Sequence, residues 1–570
     1  MILPMTGPTP QLAQPPRLAH RVIGGALIAI LMSSAASGAL ASTAKSHRHA
    51  ARPATPDPRD ARMAAMQQQI DEMRGQMSQM MAAKGADPAA AQVAALQQQL
   101  DATKSELADV KAAQVADASN IVTLQAPPSG ATVTPSLPNG KPALATADGR
   151  FTANIRAIVM LDGGKYFQKS NLAAQVVGRD LNDGTNFRRA RFGIDGKLFK
   201  DFDYALIYEF GGSGAEDAGH IQEAWVQYTG WRPWRIKVGA FEPNIGLSAA
   251  VSTSQMIMLE RPAAAEAARN VAAGDSRSAI QLTGNGVWGE GDSGIATRWF
   301  ASAALTGNVV STVNSTGGFA VQPQDEQTAI IGRFALAPFS STDWQAHIAV
   351  NGQFATQPND AGAAASPRYP IQLRDRPELR LDGARLVDTG GIDAKSASVY
   401  GAEFGFTSHQ FMLESEYFEY RIDRRLTTAA TPANPRFNGW YVQGAWVLTG
   451  ESRPYNPAEG RFDAPKMTYN FNPAAGTWGA FELAARYSDL DLNFHDCGAG
   501  KATPASPAAC FDAVRGGEQK ISAIGLNWYL NPAIRMMLDF QHVDVNRYNA
   551  AGLQIGQKYG TVAARAQFTF

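Results

Sequence analysis

The sequence predicts an all-β transmembrane barrel of about 16 antiparallel strands, preceded by a short N-terminal segment that is helical and of coiled-coil type. Three observations predict it. The chain ends on an amphipathic strand, residues from 150 onward alternate with a period of two, and the candidate strands are even in number. A closed barrel pairs every backbone group with a neighbouring strand and places polar side chains inside.

The terminal strand, residues 561–570, has one apolar face that ends in Phe568 and Phe570. Its other face carries Arg565 and Gln567. A soluble strand shows the same period, but a chain that ends on it with an outward Phe is more typical of a barrel that meets lipid.

Sixteen segments carry this period-two pattern, and a single-chain bacterial barrel requires an even number. A soluble β-sandwich would also alternate, but the signal sequence, the terminal Phe and the aromatic strand ends favour the barrel. The predicted strands are 151–161, 187–199, 202–211, 221–229, 234–241, 276–283, 295–305, 327–336, 344–354, 398–407, 410–421, 437–448, 479–490, 520–530, 533–545 and 560–570.

The composition excludes several classes of protein. The formal net charge is zero, so nothing points to a nucleic-acid partner. No run of 18 uninterrupted apolar residues occurs, so no membrane-spanning helix is expected.

Residues 1–41 read as a secretory signal peptide that is cleaved. Arg17 and Arg21 flank an apolar core at 22–32, and 39–41 form a small-residue cleavage site. The core is too short to span a bilayer, which favours removal over a retained anchor. Residues 42–60, rich in His, Arg, Pro and Ala, are expected to be flexible.

Residues 61–115 predict a heptad helix or coiled coil. Methionine and isoleucine recur at steps of three and four from Met63 to Met80, and a second seam runs from Val93 to Val110. One amphipathic helix lying on another surface is the alternative. The seam does not decide between two and three strands.

Residues 116–149 are predicted to be a Pro-rich, semi-stiff linker, and 150–570 the barrel. Within the barrel region, Cys497 and Cys510 lie in one Gly/Pro/Ala-rich loop. In an exported protein a local disulfide is favoured over metal ligation, because no spaced partner ligands accompany them.

The period-two alternation assigns the charged residues of each strand to one of its two faces. The basic residues fall mainly on the face predicted to line water. Hydrocarbon excludes charge from the outer face, so these groups would give the pore a positive potential that enriches anions. The alternative is that basic and acidic side chains pair across the lumen as struts. The predicted inward basic residues are Arg156, Arg189, Arg191, Arg235, Lys237, Arg298, Arg333, Arg486 and Arg565.

Loop 242–275 is the best candidate for a constriction. It contains apolar Met256–Leu259, then Glu260-Arg261-Pro262 and an alanine-rich run. Apolar residues in a loop indicate that it packs somewhere, and folding into the barrel is the favoured place. An external cap is the alternative.

Ordered motifs recur over 150–570, at 187–191, 196–204, 223–230, 238–241, 259–261, 439–443, 448–451 and 525–529. Together these motifs resemble the phosphate-selective porins O and P of the Gram-negative outer membrane. The resemblance implies a sixteen-stranded, trimeric porin whose basic residues guide anions. By position, Arg188, Arg189 and Arg191 correspond to part of the family's arginine track; strict alternation would turn Arg188 outward, so a rim position or a bulge is expected there.

The resemblance also implies lysines at the constriction, but 251–258 and 421–436 contain none. The sequence therefore predicts a passive outer-membrane porin for small anions such as phosphate, with lipid and two further copies as partners and the N-terminal segment in the periplasm. No cofactor, metal or catalytic constellation is expected, and no nucleophile–base pair supports a barrel lipase. The alternatives are a weakly selective porin for other small solutes, or a barrel that anchors a structural tether to the cell wall.

Overall fold

The computed structural model describes residues 58–82, 97–111, 133–137, 142–212, 219–289, 296–310, 325–341, 344–425, 433–495 and 513–570. The chain divides into two compact units, Met1–Pro127 and Pro128–Phe570. The predicted signal peptide, the segment up to residue 57, and both cysteines lie outside the described residues.

The first unit contains two helical stretches, α1 (Pro58–Ala82) and α2 (97–111). Met66 and Ile70 of α1 are buried in one cluster with Leu100 and Leu107 of α2. These are seam positions of the two predicted heptad blocks. The blocks therefore pack against each other within one chain.

The second unit is a closed barrel of sixteen antiparallel strands, as predicted. Each strand pairs with the next, and the last pairs with the first through the register Ala563↔Gly164. The strands are β3 (Thr152–Phe167), β4 (Gly184–Leu198), β5 (Phe202–Glu209), β6 (His220–Tyr228), β7 (Trp234–Phe241), β8 (Arg277–Trp288), β9 (Ala296–Val309), β10 (Thr328–Ser340), β11 (Trp344–Gln357), β15 (Ile392–Ser408), β16 (Phe411–Arg424), β17 (Arg436–Val447), β22 (Ala480–Phe494), β23 (Val514–Tyr529), β24 (Ile534–Asn546) and β25 (Lys558–Thr569).

The outer face of the barrel is apolar. On β23 and β24, Ile524 and Phe540 are paired neighbours that stay exposed, while Asn527 and Asp539 on the same strands are fully buried. Stacked aromatic pairs gather at one end of the strands: Trp288–Trp299, Phe411–Trp446 and Phe481–Trp528. An apolar band bounded by aromatic residues is how a barrel matches a bilayer and its interface. Among the described residues, no helix has both the length and the apolar character needed to cross a membrane.

Two short strands precede the barrel, β1 (Val133–Ser136) and β2 (Ala143–Thr146). They pair with each other, and β2 pairs with the start of β3 through Ala143↔Asn154. Pro135 lies on β1, whose one partner strand among the described residues is β2, so its missing N–H interrupts no ladder on the other edge there. This part of the predicted linker is therefore a strand pair that extends the barrel sheet.

The connections differ between the two ends of the barrel. We call the end that carries the short connections and the chain terminus the turn rim, and the opposite end, with longer connections, the loop rim. One connection breaks this rule: 448–479 is long although it leaves the turn rim, and it contains β18 (Tyr455–Asn456), β19 (Arg461–Phe462), β20 (Phe471–Asn472) and β21 (Thr477–Trp478). At the loop rim, 242–276 contains α3 (Leu247–Ala250) and α4 (Ala263–Ala272), and 358–391 contains β12 (Pro370–Ile371), β13 (Arg374–Asp375) and β14 (Val387–Asp388).

We predict that Ile524→Arg destabilises the folded barrel in lipid. Ile524 is 58% exposed on the outer face, and arginine near the bilayer midplane costs about 2–4 kcal/mol. Urea unfolding in lipid vesicles measures the change, with Ile524→Leu as the control. A loss below about 0.5 kcal/mol, which is typical of a water-exposed site, would contradict a lipid-facing position.

Candidate permeation path

Loop 242–276 folds into the barrel and crosses its lumen. It leaves β7, yet the backbone N–H groups of Leu247 and Ser248 donate to Glu416 on β16 at 2.8 and 2.9 Å. The N–H of Leu259 donates to Asp539 on β24 at 2.8 Å. The loop therefore reaches strands on the far wall, and the external-cap alternative is wrong.

A glycine permits the approach of this loop to Glu416. Gly246 has a φ of 116°, which residues other than glycine rarely adopt. A Cβ atom at this position would lie 2.6 Å from the Oε1 atom of Glu416. The carboxylate can therefore receive the first N–H groups of α3.

The alanine-rich run forms α4, which lies along the inner wall. Pro262 precedes its first residue. Alanine favours the helical conformation, and its small side chain lets the helix pack close to the strands. The Tyr420 hydroxyl donates to the Ala264 carbonyl at 2.6 Å, and Gln353 donates to the Ala268 carbonyl at 2.8 Å. Wall side chains thus fix the helix.

Segment 448–479 enters the lumen from the turn rim, which the sequence pattern did not predict. Arg453 donates to Glu482 on β22 through Nε at 2.5 Å and Nη2 at 2.9 Å. The Tyr455 hydroxyl lies 3.0 Å from Nδ1 of His347. Their side chains are buried, so the segment is anchored to the inner wall.

The two in-folded segments meet inside the barrel. Arg461 donates to the Ala250 carbonyl at 2.6 Å, and Asn244 donates to the Glu459 carboxylate at 3.2 Å. Segment 358–391 joins them from the loop rim, where Ala263 N–H donates to Glu378 at 2.8 Å. The far side of the lumen is filled by these contacts.

Open space remains between loop 242–276 and strands β3–β8. The outer cavity, nearer the loop rim, has a volume of about 50 Å³ and is lined by Arg188, Arg189 and Arg191 among others. The inner cavity has about 260 Å³ and is lined by residues that include Arg156 and Lys237. Arg191 and Arg261 line both, so the cavities are consecutive parts of one path. The outer part has room for only a few water molecules and is the narrower of the two, so we take it as the constriction.

A β-bulge turns two consecutive arginines into the lumen. Met160 on β3 pairs with Arg189, and the next residue, Leu161, pairs with Phe187. Arg188 and Arg189 are both buried, and Arg188 donates to Glu260 through Nε at 2.6 Å and Nη2 at 3.1 Å. The bulge expected for Arg188 is therefore present.

The predicted basic residues on the path differ in their partners. Arg191 pairs with Glu209 at 2.7 Å, and Arg156 pairs with Asp195. Lys237 Nζ lies 4.4 Å from the ring centroid of Trp225, a cation–π contact. Among the described residues, Arg189 donates one hydrogen bond, to the Met160 sulfur at 3.7 Å, and its buried Nε has no partner there.

Three predicted pore-lining residues, Arg333, Arg486 and Arg565, are inward but do not line the path. They pair with Glu403 at 2.6 Å, Glu378 at 2.9 Å and Asp162 at 2.6 Å respectively, and their side chains are at most 1% exposed. The in-folded segments cover them, which alternation along a strand does not reveal. Neither cavity is lined by these three residues, and their ion pairs are of the kind that the strut alternative describes.

Arg235 and Arg298 also do not line either cavity. Arg235 instead donates to the Ala458 carbonyl of the turn-rim segment at 2.8 Å. Arg298 has a buried Nε without a partner among the described residues, and nothing in the structure assigns it a solute contact.

The loops bring further charged residues to the constriction, which the period-two pattern of the strands could not indicate. Arg269 pairs with Glu242 and with Glu266, each at 2.9 Å, and Arg380 pairs with Glu266 at 2.7 Å. Burial would raise the pKa of Glu266, but Arg269 and Arg380 lower it to about 2. The Glu266 carboxylate therefore stays ionised at neutral pH. The visible signal was the spacing of Glu266 and Arg269 on one helical face.

Among the described residues, no group of three or more His, Cys, Asp or Glu side chains is placed to hold a metal ion. A closed barrel with an apolar outer face and a narrowed, charged lumen defines an outer-membrane porin, which is a channel and not an enzyme. Residues 167–570 match the family described as phosphate-selective porin O and P, and the chain belongs to this family.

Individual proteins resemble the chain more distantly. Porin O of Pseudomonas aeruginosa is 26% identical over 418 residues, which cover 69% of this chain and 83% of that protein. An uncharacterized protein of Caulobacter vibrioides is 26% identical over 358 residues, covering 62% and 64%. Among solved structures, OprB of Pseudomonas putida gives a TM-score of 0.44 at 8% identity, covering 74% of this chain and 95% of that one. The anion-selective porin of Comamonas acidovorans gives 0.40 at 10%, covering 74% and 100%.

We predict that Arg453→Met releases segment 448–479 and raises the single-channel conductance. The change leaves Glu482 buried without its cation, which costs about 3–5 kcal/mol. Recording in planar bilayers measures the conductance, and Arg421→Met, which removes an exposed ion pair at the loop rim, is the control.

The double variant Arg453→Met/Glu482→Met removes both charges together, so its conductance should lie nearer the unaltered value. An unchanged conductance in a folded Arg453→Met barrel would show that the segment is held without this pair.

Proposed function

We propose that this porin is a passive diffusion channel that prefers small anions, phosphate among them. The observation that carries the proposal is the set of cations on the path that have no carboxylate within ion-pair distance among the described residues. These cations are Arg189, Arg261 and Lys237.

The charge balance along the path supports a preference of moderate size. Six arginines and five carboxylates line the outer cavity, and five basic and three acidic side chains line the inner cavity. In a narrow space with low-dielectric walls, a small positive excess enriches anions and repels cations. A deep binding site would stop flux, so the compensating carboxylates are compatible with transport.

Arginine suits the oxyanions among these solutes. Its planar fork donates two parallel hydrogen bonds to carboxylate or phosphate oxygens, whereas chloride offers no such geometry. The constriction uses arginines where the family resemblance implies lysines. We therefore assign a general anion preference and include phosphate as one solute.

The nearly matched charges of the outer cavity favour one alternative, a weakly selective porin for other small solutes. The assembly that the family implies is a homotrimer, and we place the first unit in the periplasm. A tether to the cell wall, with the barrel as its anchor, is the alternative role for that unit.

We predict that Arg189→Gln lowers the anion/cation permeability ratio at least about twofold, because it removes an uncompensated charge at the constriction. The reversal potential in a potassium chloride gradient measures this ratio. Arg232→Gln, on an exposed turn, is the matched control. An unaltered reversal potential in a folded Arg189→Gln channel would contradict the proposal. Reversal potentials measured with potassium phosphate then separate phosphate from chloride.

We predict that deletion of residues 61–115 weakens the oligomer but leaves the conductance of each pore unchanged, since the barrel encloses the path by itself. Gel mobility without boiling reports the assembly, and planar-bilayer recording reports the conductance. A changed conductance per channel would mean that the first unit contributes to permeation.

A further inference from the structure

Segment 448–479 ends in a short aromatic hairpin at the turn rim, residues 469–478. Its two strands, β20 and β21, pair through Phe471↔Trp478. β21 leads directly into the barrel wall, because β22 begins at Ala480. A hairpin this short is not stable by itself, so its contacts with the wall determine where it lies.

The hairpin packs against the aromatic belt on the outer face. The Phe471 ring meets the Trp528 ring edge-on at 5.4 Å, and Trp528 is itself stacked on Phe481. The Trp528 indole N–H donates to the Trp478 carbonyl at 2.7 Å, and the Phe471 N–H donates to the Leu530 carbonyl at 2.6 Å. The hairpin rings and the belt rings therefore form one cluster.

A glycine permits this close approach. Gly479 has a φ of 75°, and a Cβ atom there would lie 2.1 Å from the carbonyl oxygen of Tyr529. A larger residue would move β21 away from β23, and the aromatic cluster would separate.

Two large amphipathic rings of the hairpin remain uncovered. Tyr469 is 65% exposed and Trp478 is 56% exposed. Within the described ranges of the chain, neither the Tyr469 hydroxyl nor the Trp478 indole N–H has a hydrogen-bond partner. Each ring thus presents an apolar body and a free polar tip.

The same segment also reaches into the lumen. Phe462 is 1% exposed there, and only residues 463–468 separate it from Tyr469 on the outside. Arg453 and Arg461 fix the lumen part to the wall and to loop 242–276. One connection therefore narrows the lumen and presents aromatic rings beside the outer face.

We propose that the aromatic hairpin is a lipid anchor, which binds glycerophospholipids at the turn rim and holds the lumen part of segment 448–479 in place. A ring with an apolar body and a polar tip prefers the boundary between acyl chains and headgroups to either phase alone. The anchor goes beyond the transport function and does not depend on the proposed anion preference.

The position of the hairpin favours lipid over a second copy of the chain as its partner. Stacked belt pairs recur around the turn rim, at Trp288–Trp299 and Phe411–Trp446 as well as beside the hairpin. The hairpin is continuous with this belt, which bounds the apolar band that faces hydrocarbon.

Fluorescence of the full chain in phosphatidylcholine vesicles tests the contact. The emission that Trp478→Phe removes belongs to Trp478. Lipid brominated near the headgroup end of its chains should quench this emission at least about twice as strongly as lipid brominated near the chain ends, because interfacial rings lie only about 5–10 Å into the boundary. Trp288→Phe, which alters a belt tryptophan that is 52% exposed, is the matched control and should give the same pattern.

Two results would overturn the anchor. Quenching of the Trp478 emission by aqueous iodide and not by brominated lipid would place the hairpin in water. Protection from both quenchers would mean that a second copy of the chain covers it. Tyr469→Trp adds emission at the other exposed ring, and it decides the matter if Trp478→Phe does not fold.

Planar-bilayer recording tests whether the anchor holds the lumen part. Tyr469→Ser/Trp478→Ser, added to Arg453→Met, should raise the conductance above that of Arg453→Met alone, because the segment loses its hold at both ends. Trp288→Ser in the same background removes a belt tryptophan on β8 and should add nothing. Equal conductance with and without the hairpin substitutions would refute the holding role.

Discussion

The hydrocarbon around the barrel sets the constraint on which the rest of the molecule depends. Charge at mid-membrane must face inward, and every strand must find two neighbours for its backbone groups. Sixteen strands meet the second requirement by closing β25 onto β3. Because charged side chains must face inward, arginines and carboxylates accumulate in the lumen, and they need partners once they are removed from bulk water.

The in-folded segments supply many of those partners. Loop 242–276 brings Glu260 to Arg188, segment 358–391 brings Glu378 to Arg486, and segment 448–479 brings Arg453 to Glu482. The same segments therefore both pair with the charged side chains of the wall and narrow the lumen. What remains along β3–β8 is a narrow path where only part of the positive charge is neutralised, and the proposed anion preference depends on this remainder.

The strands and the inward side of each arginine followed from the sequence, because the period-two alternation indicates on which face of a strand each residue lies. The bulge at Arg188 was also foreseeable, since consecutive arginines cannot both face inward on a regular strand. Alternation does not say what lies across the lumen, so Arg333, Arg486 and Arg565 were assigned to the pore although other segments cover them. The entry of segment 448–479 into the lumen was not predicted, because connections at the turn rim are expected to be short and this one is long.

The seam between β3 and β25 also governs how the molecule is made. Asp162 and Arg565, which pair across this seam, are separated by 403 positions in the chain. Short β2 covers only the first residues of this edge of β3, and residues 158–167 gain a partner there only when β25 is in place. The barrel therefore closes in one late step, which joins strands from opposite ends of its sequence.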